Sequence, residues 1–466
     1  MKLTVVGNGA VGLMIAREAL LRIPEAKITV LAPRLRLGCA SVAAAAMFNS
    51  FAEVDTGTFR NRFEKEKWLF NRSAAKRWPE LLQSLAVETQ CEISRGFGTY
   101  VINNHVSDTL EDDNFDAILS ALNESREPHE MVRPSDIPHY KPSCQGRAGR
   151  AVFIPDEGFV NPVHLLSALE TALARTGRVT FVDSECSKLM LGSGGTIECA
   201  VATNGNRVTG DTFVLAPGAN FSAIVDASKL GLQFPRVFYG VGCTILLGTG
   251  ENTLPKCVRT PNRGLACGVY SAPRDTSHTI VGASNLIAPT PMPFARVTSV
   301  YTLLKSAVEQ INSDYYRADL TAVNLGWRPT SEDTLPMIGG TEIANLLVAT
   351  ATKRDGLHCS PLIAECIVDV MSSGRSKYDI SLFKPDRKPV KTMTRKDAVE
   401  VFVRHTMNAN YQHDFRPAKN RMLEQMERMY RQEIEELHDK AGAHDWGIPP
   451  EMVNMYRYGH IPTPRN

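Results

Sequence analysis

The chain has 466 residues, of which 43% are hydrophobic and 22% charged, the composition of a globular protein with a large buried core. This composition excludes a disordered, collagen-like or coiled-coil chain. The 52 Lys and Arg residues nearly balance the 50 Asp and Glu residues, which gives no support for a nucleic-acid binder with a broad basic surface.

The sequence shows no sign of export or of a membrane span. No stretch approaches the roughly 18 apolar residues of a spanning helix, and the N-terminus runs directly into a strand and a glycine turn rather than a secretory leader. The ten cysteines are scattered without a CxxC pair, so we expect reduced thiols and no metal site. These features predict a cytoplasmic protein.

The first 32 residues have the pattern of a βαβ unit. The short apolar runs Leu3–Val6 and Ile28–Leu31 are typical of buried parallel strands. Between them, apolar residues recur at helical spacing, at Val11, Met14, Ile15 and Ala19.

Further elements follow in chain order. Helices are predicted over Phe63–Leu85, Val163–Ala174, Phe294–Ile311 and Ser360–Met371. Strands are predicted at Gly98–Ile102, Val179–Val182, Phe213–Leu215 and Leu346–Ala349, with a hairpin over Leu189–Val208 and a strand-rich region over Val237–Leu286. Pro155–Gly158 is predicted to be a turn.

The composition becomes more polar after Gly374, and one long helix is predicted in this tail. Its apolar stripe consists of Leu423, Met426, Tyr430, Ile434 and Leu437. The stripe is explained either by packing within the chain or by contact with a second copy or another protein.

Residues Gly7–Gly12 form a GxGxxG sequence between the predicted strand and helix. Such a turn lets a pyrophosphate approach the backbone of Gly7, Asn8, Gly9, Ala10 and Val11 at the helix N-terminus, while Gly12 allows close helix packing. The motif alone fits either NAD or FAD.

The second strand of this unit lacks the carboxylate that usually binds the ribose. It ends in Leu31-Ala32-Pro33-Arg34 instead. Backbone groups near Pro33, the side chain of Arg34 or a water must take that place, or Arg34 reaches a phosphate.

Six ordered segments together resemble one protein family, the D-amino-acid oxidase superfamily of flavoproteins, and within it the glycine-oxidase type. The resemblance covers residues 1 to about 390. The segments are Ser41–Met47, Asp156–Pro162, Leu215–Ala219, Tyr270–Arg274 followed by Ile280–Ala283, Gly326–Gly339, and Lys353–Leu357.

The resemblance implies an α/β fold in which a Rossmann-like FAD-binding domain is interleaved with an α+β substrate domain built on a mixed antiparallel sheet. The FAD-binding domain is expected over residues 1–60, 150–230 and 320–375, and the substrate domain over 61–149 and 231–319. A helical C-terminal extension is expected over 376–466.

The resemblance also implies roles for individual residues. Arg328 matches the arginine that binds the substrate carboxylate, and Tyr270 the tyrosine that hydrogen-bonds the same group. A structural arginine and a core tyrosine are the alternatives. Arg354 adds positive charge near the flavin or contacts substrate, unless it is a solvated loop residue.

Other residues match positions around the cofactor. The backbone near Asp355, Gly356 and Leu357 would face the pyrimidine end of the flavin at a helix N-terminus. The remaining matches are Ser41, Ala46 and Met47 over the ring, Cys186 through backbone atoms near the adenine, and Gly218.

Two departures from the family pattern affect the flavin loops. Ala46 replaces the glycine of Ala-Gly-Met, and Ala351-Thr352 replaces Gly-His. His358 and Cys359 lie near the loop, but they match no known attachment motif, so non-covalent FAD is expected rather than covalent FAD.

The implied activity is oxidation of an amine or amino acid by hydride transfer to FAD, giving an imine and, with oxygen, hydrogen peroxide. Three alternatives stay open. These are a flavin-dependent oxidase of an alcohol or secondary amine in specialised metabolism, a dehydrogenase that passes electrons to a protein partner through the tail, and a non-enzymatic flavin-bearing subunit.

Overall fold

A computed structural model describes residues 1–104, 106, 108–265, 267–282, 284–413, 415 and 421–462. Ala283, the last residue of one segment of the resemblance, lies outside the described residues. None of the described helices is both long enough and apolar enough to cross a lipid bilayer.

The described strands, in chain order, are β1 (Lys2–Val6), β2 (Lys27–Leu31), β3 (Met47–Phe48), β4 (Arg95–Asn104), β5 (Glu130–Val132), β6 (Ala148–Val160), β7 (Val179–Val182), β8 (Cys186–Leu191), β9 (Ile197–Ala202), β10 (Arg207–Thr209), β11 (Thr212–Leu215), β12 (Val237–Gly248), β13 (Cys257–Arg259), β14 (Tyr270–Pro273), β15 (His278–Gly282), β16 (Leu286–Ala288), β17 (Asp319–Ser331), β18 (Met337–Gly340) and β19 (Leu346–Thr350).

The described α-helices are α1 (Ala10–Arg22), α2 (Ala40–Ala43), α3 (Arg62–Ala75), α4 (Trp78–Thr89), α5 (Thr109–Ser125), α6 (Pro162–Arg175), α7 (Phe221–Ser228), α8 (Val297–Ser306), α9 (Gly356–Ser373), α10 (Arg395–Gln412), α11 (Met422–Lys440) and α12 (Val453–Arg457).

A six-stranded sheet in the order β18-β19-β11-β1-β2-β7 carries the N-terminal βαβ unit. Its strands are parallel except for β18, which is antiparallel to β19. The apolar runs at Leu3–Val6 and Ile28–Leu31 lie in this sheet because strands covered on both faces need apolar side chains on both.

The two faces of this sheet are covered differently. Helices α1, α4, α6 and α9 pack on one face, and the antiparallel meander β8-β9-β10 covers the other with Leu189 and Ile197. Helix α1 approaches the sheet closely, since a Cβ at Gly12 would lie 2.1 Å from the carbonyl oxygen of Gly7.

A second, larger sheet runs in the order β16-β12-β15-β14-β13-β4-β6-β3, with β17 paired to β12 and β5 to β6. Most of its pairs are antiparallel, while β4 and β13 are parallel. Together with the parallel sheet and the C-terminal helices, it confirms the predicted fold class.

The C-terminal helices pack on one another and on the rest of the fold. Ile434 of the predicted apolar stripe is fully buried against Val399 and Phe402 of α10. Upstream of α10, Arg387 forms a two-pronged ion pair with Asp333, with Nε–Oδ2 and Nη2–Oδ1 distances of 3.0 Å. Asp333 is 2% exposed, so this pair anchors the chain that leads into α10.

Two local predictions differ from the structure. The predicted turn at Pro155–Gly158 is wrong, because these residues continue β6, and the register with β4 shifts between Phe97 and Thr99. Pro155 is tolerated at this irregularity because its missing N–H costs no ladder bond. The helix predicted over Phe63–Leu85 is two helices, broken before Pro79.

We predict that Arg387→Ala lowers the free energy of unfolding by about 3 kcal/mol, because it leaves the buried Asp333 carboxylate without its partner. Denaturant unfolding measures this. Arg133→Ala is the control, since Arg133 is 83% exposed in its ion pair with Asp136 and should change stability by less than about 1 kcal/mol. Equal losses in the two variants would contradict the expectation.

Glu157 gives a prediction about pH. Its buried carboxylate accepts backbone hydrogen bonds from Ser50, Phe51 and Ala52, and burial raises its pKa to about 7. The folded state therefore binds this proton more tightly than the unfolded chain. The resulting stability is fully present below pH 4.5 and is lost as pH rises to about 7.

Glu157→Gln mimics the protonated group and should therefore be more stable than the parent protein by about 3 kcal/mol above pH 7, with little difference near pH 4. Urea unfolding at both pH values checks this. A stability difference that does not change with pH argues against the buried-proton explanation.

Candidate active site

A cleft lies between the carboxyl ends of the parallel strands and the second sheet. Most of the predicted site residues line it together, namely Gly7, Asn8, Gly9, Ala10, Val11, Pro33, Ser41, Ala46, Met47, Cys186, Gly218, Tyr270, Arg328, Arg354, Asp355, Gly356 and Leu357. The structure therefore brings residues from both sheets to one site.

The glycine turn after β1 forms one end of the cleft. Gly7 has φ +115°, and a Cβ there would lie 2.2 Å from the carbonyl oxygen of Ala216, so a side chain is excluded. Asn8 Nδ2 donates to Pro33 O at 2.8 Å, and the amide of Ala10 donates to Ser41 Oγ at 3.1 Å. The turn thus holds the N-terminus of α1 towards the cleft, where an anion is stabilised.

The residues after β2 are arranged differently from the sequence expectation. Arg34 is exposed and lies outside the cleft lining, and its backbone amide donates to Asp183 Oδ1 at 2.7 Å. Arg36 lines the cleft instead, with Nε donating to Asn8 O at 3.2 Å and its guanidinium paired with Glu170. No motif position pointed to Arg36.

Cys186 lies where β8 begins and lines the cleft. Burial raises the pKa of its thiol to about 11, so the group stays protonated at neutral pH. This fits a contact through the backbone rather than a reactive thiolate.

Two alanines in the loops of the cleft have left-handed backbone. Ala46 has φ +54° and Ala351 has φ +59°. These are the positions where the sequence lacks a glycine of the pattern that it resembles. The loops therefore keep a conformation suited to glycine, at a cost of about 1–2 kcal/mol for each alanine.

The N-terminus of α9 forms another wall. Asp355 precedes the helix, and Gly356 packs so closely that a Cβ would lie 2.4 Å from Thr352 Oγ1. The preceding loop is held by a 2.8 Å hydrogen bond from Lys353 N to Pro329 O. The unpaired amides of this helix end favour negative charge in the cleft.

Arg328 enters the cleft from β17, opposite two glycines of β12. Gly240 pairs with Arg328 across the strands, and a Cβ at Gly242 would lie 2.3 Å from Arg328 Nη2. Arg328 Nη1 donates to the carbonyl oxygen of Ser284 at 2.9 Å and to Asn285 Oδ1 at 3.4 Å. Both acceptors are neutral, and within the described part of the chain no carboxylate pairs with this guanidinium.

Tyr270 begins β14, and its ring lies against Gly282, where a Cβ would meet the hydroxyl oxygen at 2.3 Å. Burial raises the pKa of Tyr270, although Arg328 acts in the opposite direction. The phenol therefore stays protonated and can donate a hydrogen bond into the cleft.

Arg354 differs from Arg328 because it has a charged partner. Its Nη1 lies 2.8 Å from Cys267 Sγ, and its Nη2 lies 3.7 Å from Glu53 Oε2. Burial disfavours the carboxylate of Glu53, but Arg259 and Arg354 outweigh it and lower the pKa. Sequence reasoning missed Glu53 and Cys267, which come from distant parts of the chain.

The two residues considered for covalent attachment both contact Asn71 of α3. His358 Nε2 donates to Asn71 O at 2.8 Å, and Cys359 Sγ donates to Asn71 Oδ1 at 2.8 Å. Burial raises the pKa of Cys359, so its thiol is protonated.

The described residues fit FAD. The glycine turn and helix N-terminus suit a pyrophosphate, the Ala43–Met47 loop gives an apolar wall, and the N-terminus of α9 suits the pyrimidine end of a flavin, where negative charge develops on reduction. The profile of the DAO family, FAD-dependent oxidoreductases, matches residues 2–370. The chain belongs to this family.

Curated relatives of this DAO-family chain include two kinds of protein. Glycine oxidase of Geobacillus kaustophilus is 27% identical over 241 residues, 51% of this chain and 60% of the relative. The bifunctional protein ThiO/ThiG of Nostoc sp. is 22% identical over 386 residues, 83% of this chain and 55% of the relative. The chain thus spans less than two thirds of the length of these relatives.

Solved structures show the same fold. Glycine oxidase of Geobacillus kaustophilus has a TM-score of 0.70 at 20% identity, covering 83% of this chain and 98% of that one. Iminodiacetate oxidase of Chelativorans sp. has a TM-score of 0.69 at 19% identity, covering 83% and 100%. The family match ends before α10 begins.

We predict that Ala46→Gly changes the free energy of unfolding by less than about 1 kcal/mol. Loss of a buried methyl costs about 0.8 kcal/mol and the added chain entropy costs about 0.5–1 kcal/mol, but relief of the left-handed strain returns about 1–2 kcal/mol. The control is Ala19→Gly, in the buried face of α1, which should cost about 2 kcal/mol. Equal losses in thermal or urea unfolding would show that Ala46 is unstrained.

Proposed function

We propose that this DAO-family enzyme oxidises the C–N bond of an amine or amino acid, with FAD bound non-covalently in the cleft and oxygen as the electron acceptor. The products are an imine, which water hydrolyses, and hydrogen peroxide. The observation that carries the proposal is the partly buried guanidinium of Arg328, whose recorded partners are neutral. A substrate carboxylate would supply the anion that this guanidinium lacks among the described residues.

A substrate carboxylate suits this guanidinium because the two planar groups can share two parallel hydrogen bonds. The glycines of β12 leave Arg328 room beside the strand. The protonated hydroxyl of Tyr270 supplies a further donor to the same cleft. Arg354 is not equivalent, because its Nη2 lies 3.7 Å from the carboxylate of Glu53, which is also paired with Arg259.

The chain's own residues bind and orient both reactants. The turn at Gly7–Gly9 would hold the pyrophosphate, and the N-terminus of α9 would stabilise negative charge at the ring. When bound, FAD supplies the group that accepts the hydrogen and two electrons removed from the substrate. The loop of Ala43–Met47 lines this part of the cleft with apolar side chains, which would keep water from the ring.

Orientation accounts for most of the proposed rate enhancement. Fixing the carboxylate at Arg328 limits where the adjacent C–H bond can lie, and such preorganisation contributes several kcal/mol to catalysis in general. The lone pair of a neutral substrate amine helps to expel hydride from the adjacent carbon. This step therefore needs no strong side-chain base.

We predict that Arg328→Met lowers kcat/KM for amino acids by about a hundredfold, because it removes two charge-assisted hydrogen bonds worth about 3 kcal/mol. Arg328→Lys should recover part of this loss, since it keeps the charge but not the fork. Peroxide production measures the rates.

Amines without a carboxylate provide the substrate control for this test, and Arg236→Met, an exposed change, provides the protein control. Arg328→Met should not lose hundredfold activity towards these amines, and Arg236→Met should not lose it towards amino acids. An unchanged KM for amino acids in Arg328→Met would mean that the carboxylate binds elsewhere.

A further inference from the structure

The C-terminal extension contacts both loops that flank the substrate end of the cleft. From α10, Asn408 Oδ1 accepts from Gly264 N at 2.8 Å, and His405 Nδ1 accepts from Leu265 N at 3.3 Å. Near the end of the chain, Glu451 pairs with Lys353, in the loop before α9. The extension is therefore built into the surroundings of the site.

A second cavity lies between these contacts. Thr392, Val401, His405 and Glu451 of the extension form one side of it. The opposite side comes from the segment between β3 and α3 and from α3 itself. We call this cavity the side chamber.

The side chamber adjoins the flavin cleft. Glu53, Lys353, Arg354 and Asp355 line both cavities. The Arg354–Glu53 ion pair, with its 3.7 Å separation, therefore lies at the junction.

Hydrogen bonds also connect the chamber wall to Arg328. Arg328 Nη1 donates to Asn285 Oδ1 at 3.4 Å, and Asn285 Nδ2 donates to Leu265 O at 3.2 Å. The amide of Leu265 then donates to His405 of α10. The extension thus helps to fix the neighbourhood of the guanidinium, and Asn285 lines the chamber.

The chamber wall is polar and carries both signs of charge. Asp55 and Glu64 line it together with Arg60 and Lys67, and the amide side chains of Asn61 and Asn71 also line it. A ligand in the chamber would therefore be recognised by hydrogen bonds rather than by its net charge. Many of these groups are already paired within the chain, such as Lys67 with Glu64. An apolar side chain would displace water from them without offering hydrogen bonds in return, which disfavours it.

Resting on the function proposed above, we propose that the side chamber binds the side chain of the substrate. The substrate class is then amino acids or amines with a flexible chain that ends in an uncharged hydrogen-bonding group. The extension is the specificity element of the enzyme.

The test uses the full-length holoenzyme and three probes. Glycine has no side chain, glutamine has a polar one, and norleucine has an apolar one of similar length. Both enantiomers of the last two are assayed by flavin reduction without oxygen. We expect glutamine to exceed norleucine in kcat/KM by at least about tenfold.

Val401→Phe adds a ring to the chamber wall from α10. It should remove the preference for glutamine over norleucine and change kcat/KM for glycine by no more than about twofold. The control is Lys396→Phe, which adds a ring at an exposed position of α10 outside the chamber lining. It should leave kcat/KM unchanged for both glutamine and glycine.

A binding measurement does not depend on turnover or on the variants. Glutaramate keeps the carboxylate and amide of glutamine but lacks the α-amine, and pentanoate lacks the amide. In calorimetry with the unmodified holoenzyme, glutaramate should bind at least about tenfold more tightly than pentanoate.

The outcomes separate the two proposals. Turnover of glycine with no preference for glutamine over norleucine, equal binding of the two acids, or equal losses for all substrates in Val401→Phe would overturn the chamber proposal alone. Failure of every amine probe to reduce the flavin would overturn the proposed function, and the chamber proposal with it.

Discussion

The positive charge of Arg328, which no carboxylate of the described residues pairs with, is the constraint on which the site depends. A guanidinium is costly to bury without an anion, yet the fold makes room for this one by placing Gly240 and Gly242 opposite it on β12. Its recorded acceptors, Ser284 and Asn285, orient it without neutralising it. The positive charge is therefore kept available at the wall of a cleft that fits FAD.

Backbone conformation is the second constraint. The turn at Gly7 and the loops at Ala46 and Ala351 have positive φ at the cleft. Glycine adopts this conformation without strain at the first position, whereas alanine is strained at the other two. The loops persist because their neighbours hold them, as Pro329 holds Lys353 through its backbone. The methyl of Ala46 lies in the cleft wall, whereas Ala351 is buried behind the lining.

Local sequence patterns predicted much of the fold because they report local physics. Apolar runs and the glycine turn predicted the βαβ unit, and the ordered segments led to Arg328 and Tyr270. The turn prediction at Pro155–Gly158 failed because pairing with β4 overrode the local preference. Glu53 and Cys267 were missed because Arg354 meets them only through the tertiary fold, and no pattern in the chain links them. The contacts of the extension were equally out of reach, since they join loops from both sheets.

The most direct test of the account is a crystal structure of the holoenzyme with bound glycolate, a carboxylate without the reacting amine. We expect density for the isoalloxazine ring between the Ala43–Met47 loop and the N-terminus of α9. We also expect a carboxylate within hydrogen-bond distance of both the Arg328 guanidinium and the Tyr270 hydroxyl. A cleft without flavin, or a carboxylate bound away from Arg328, would contradict the account.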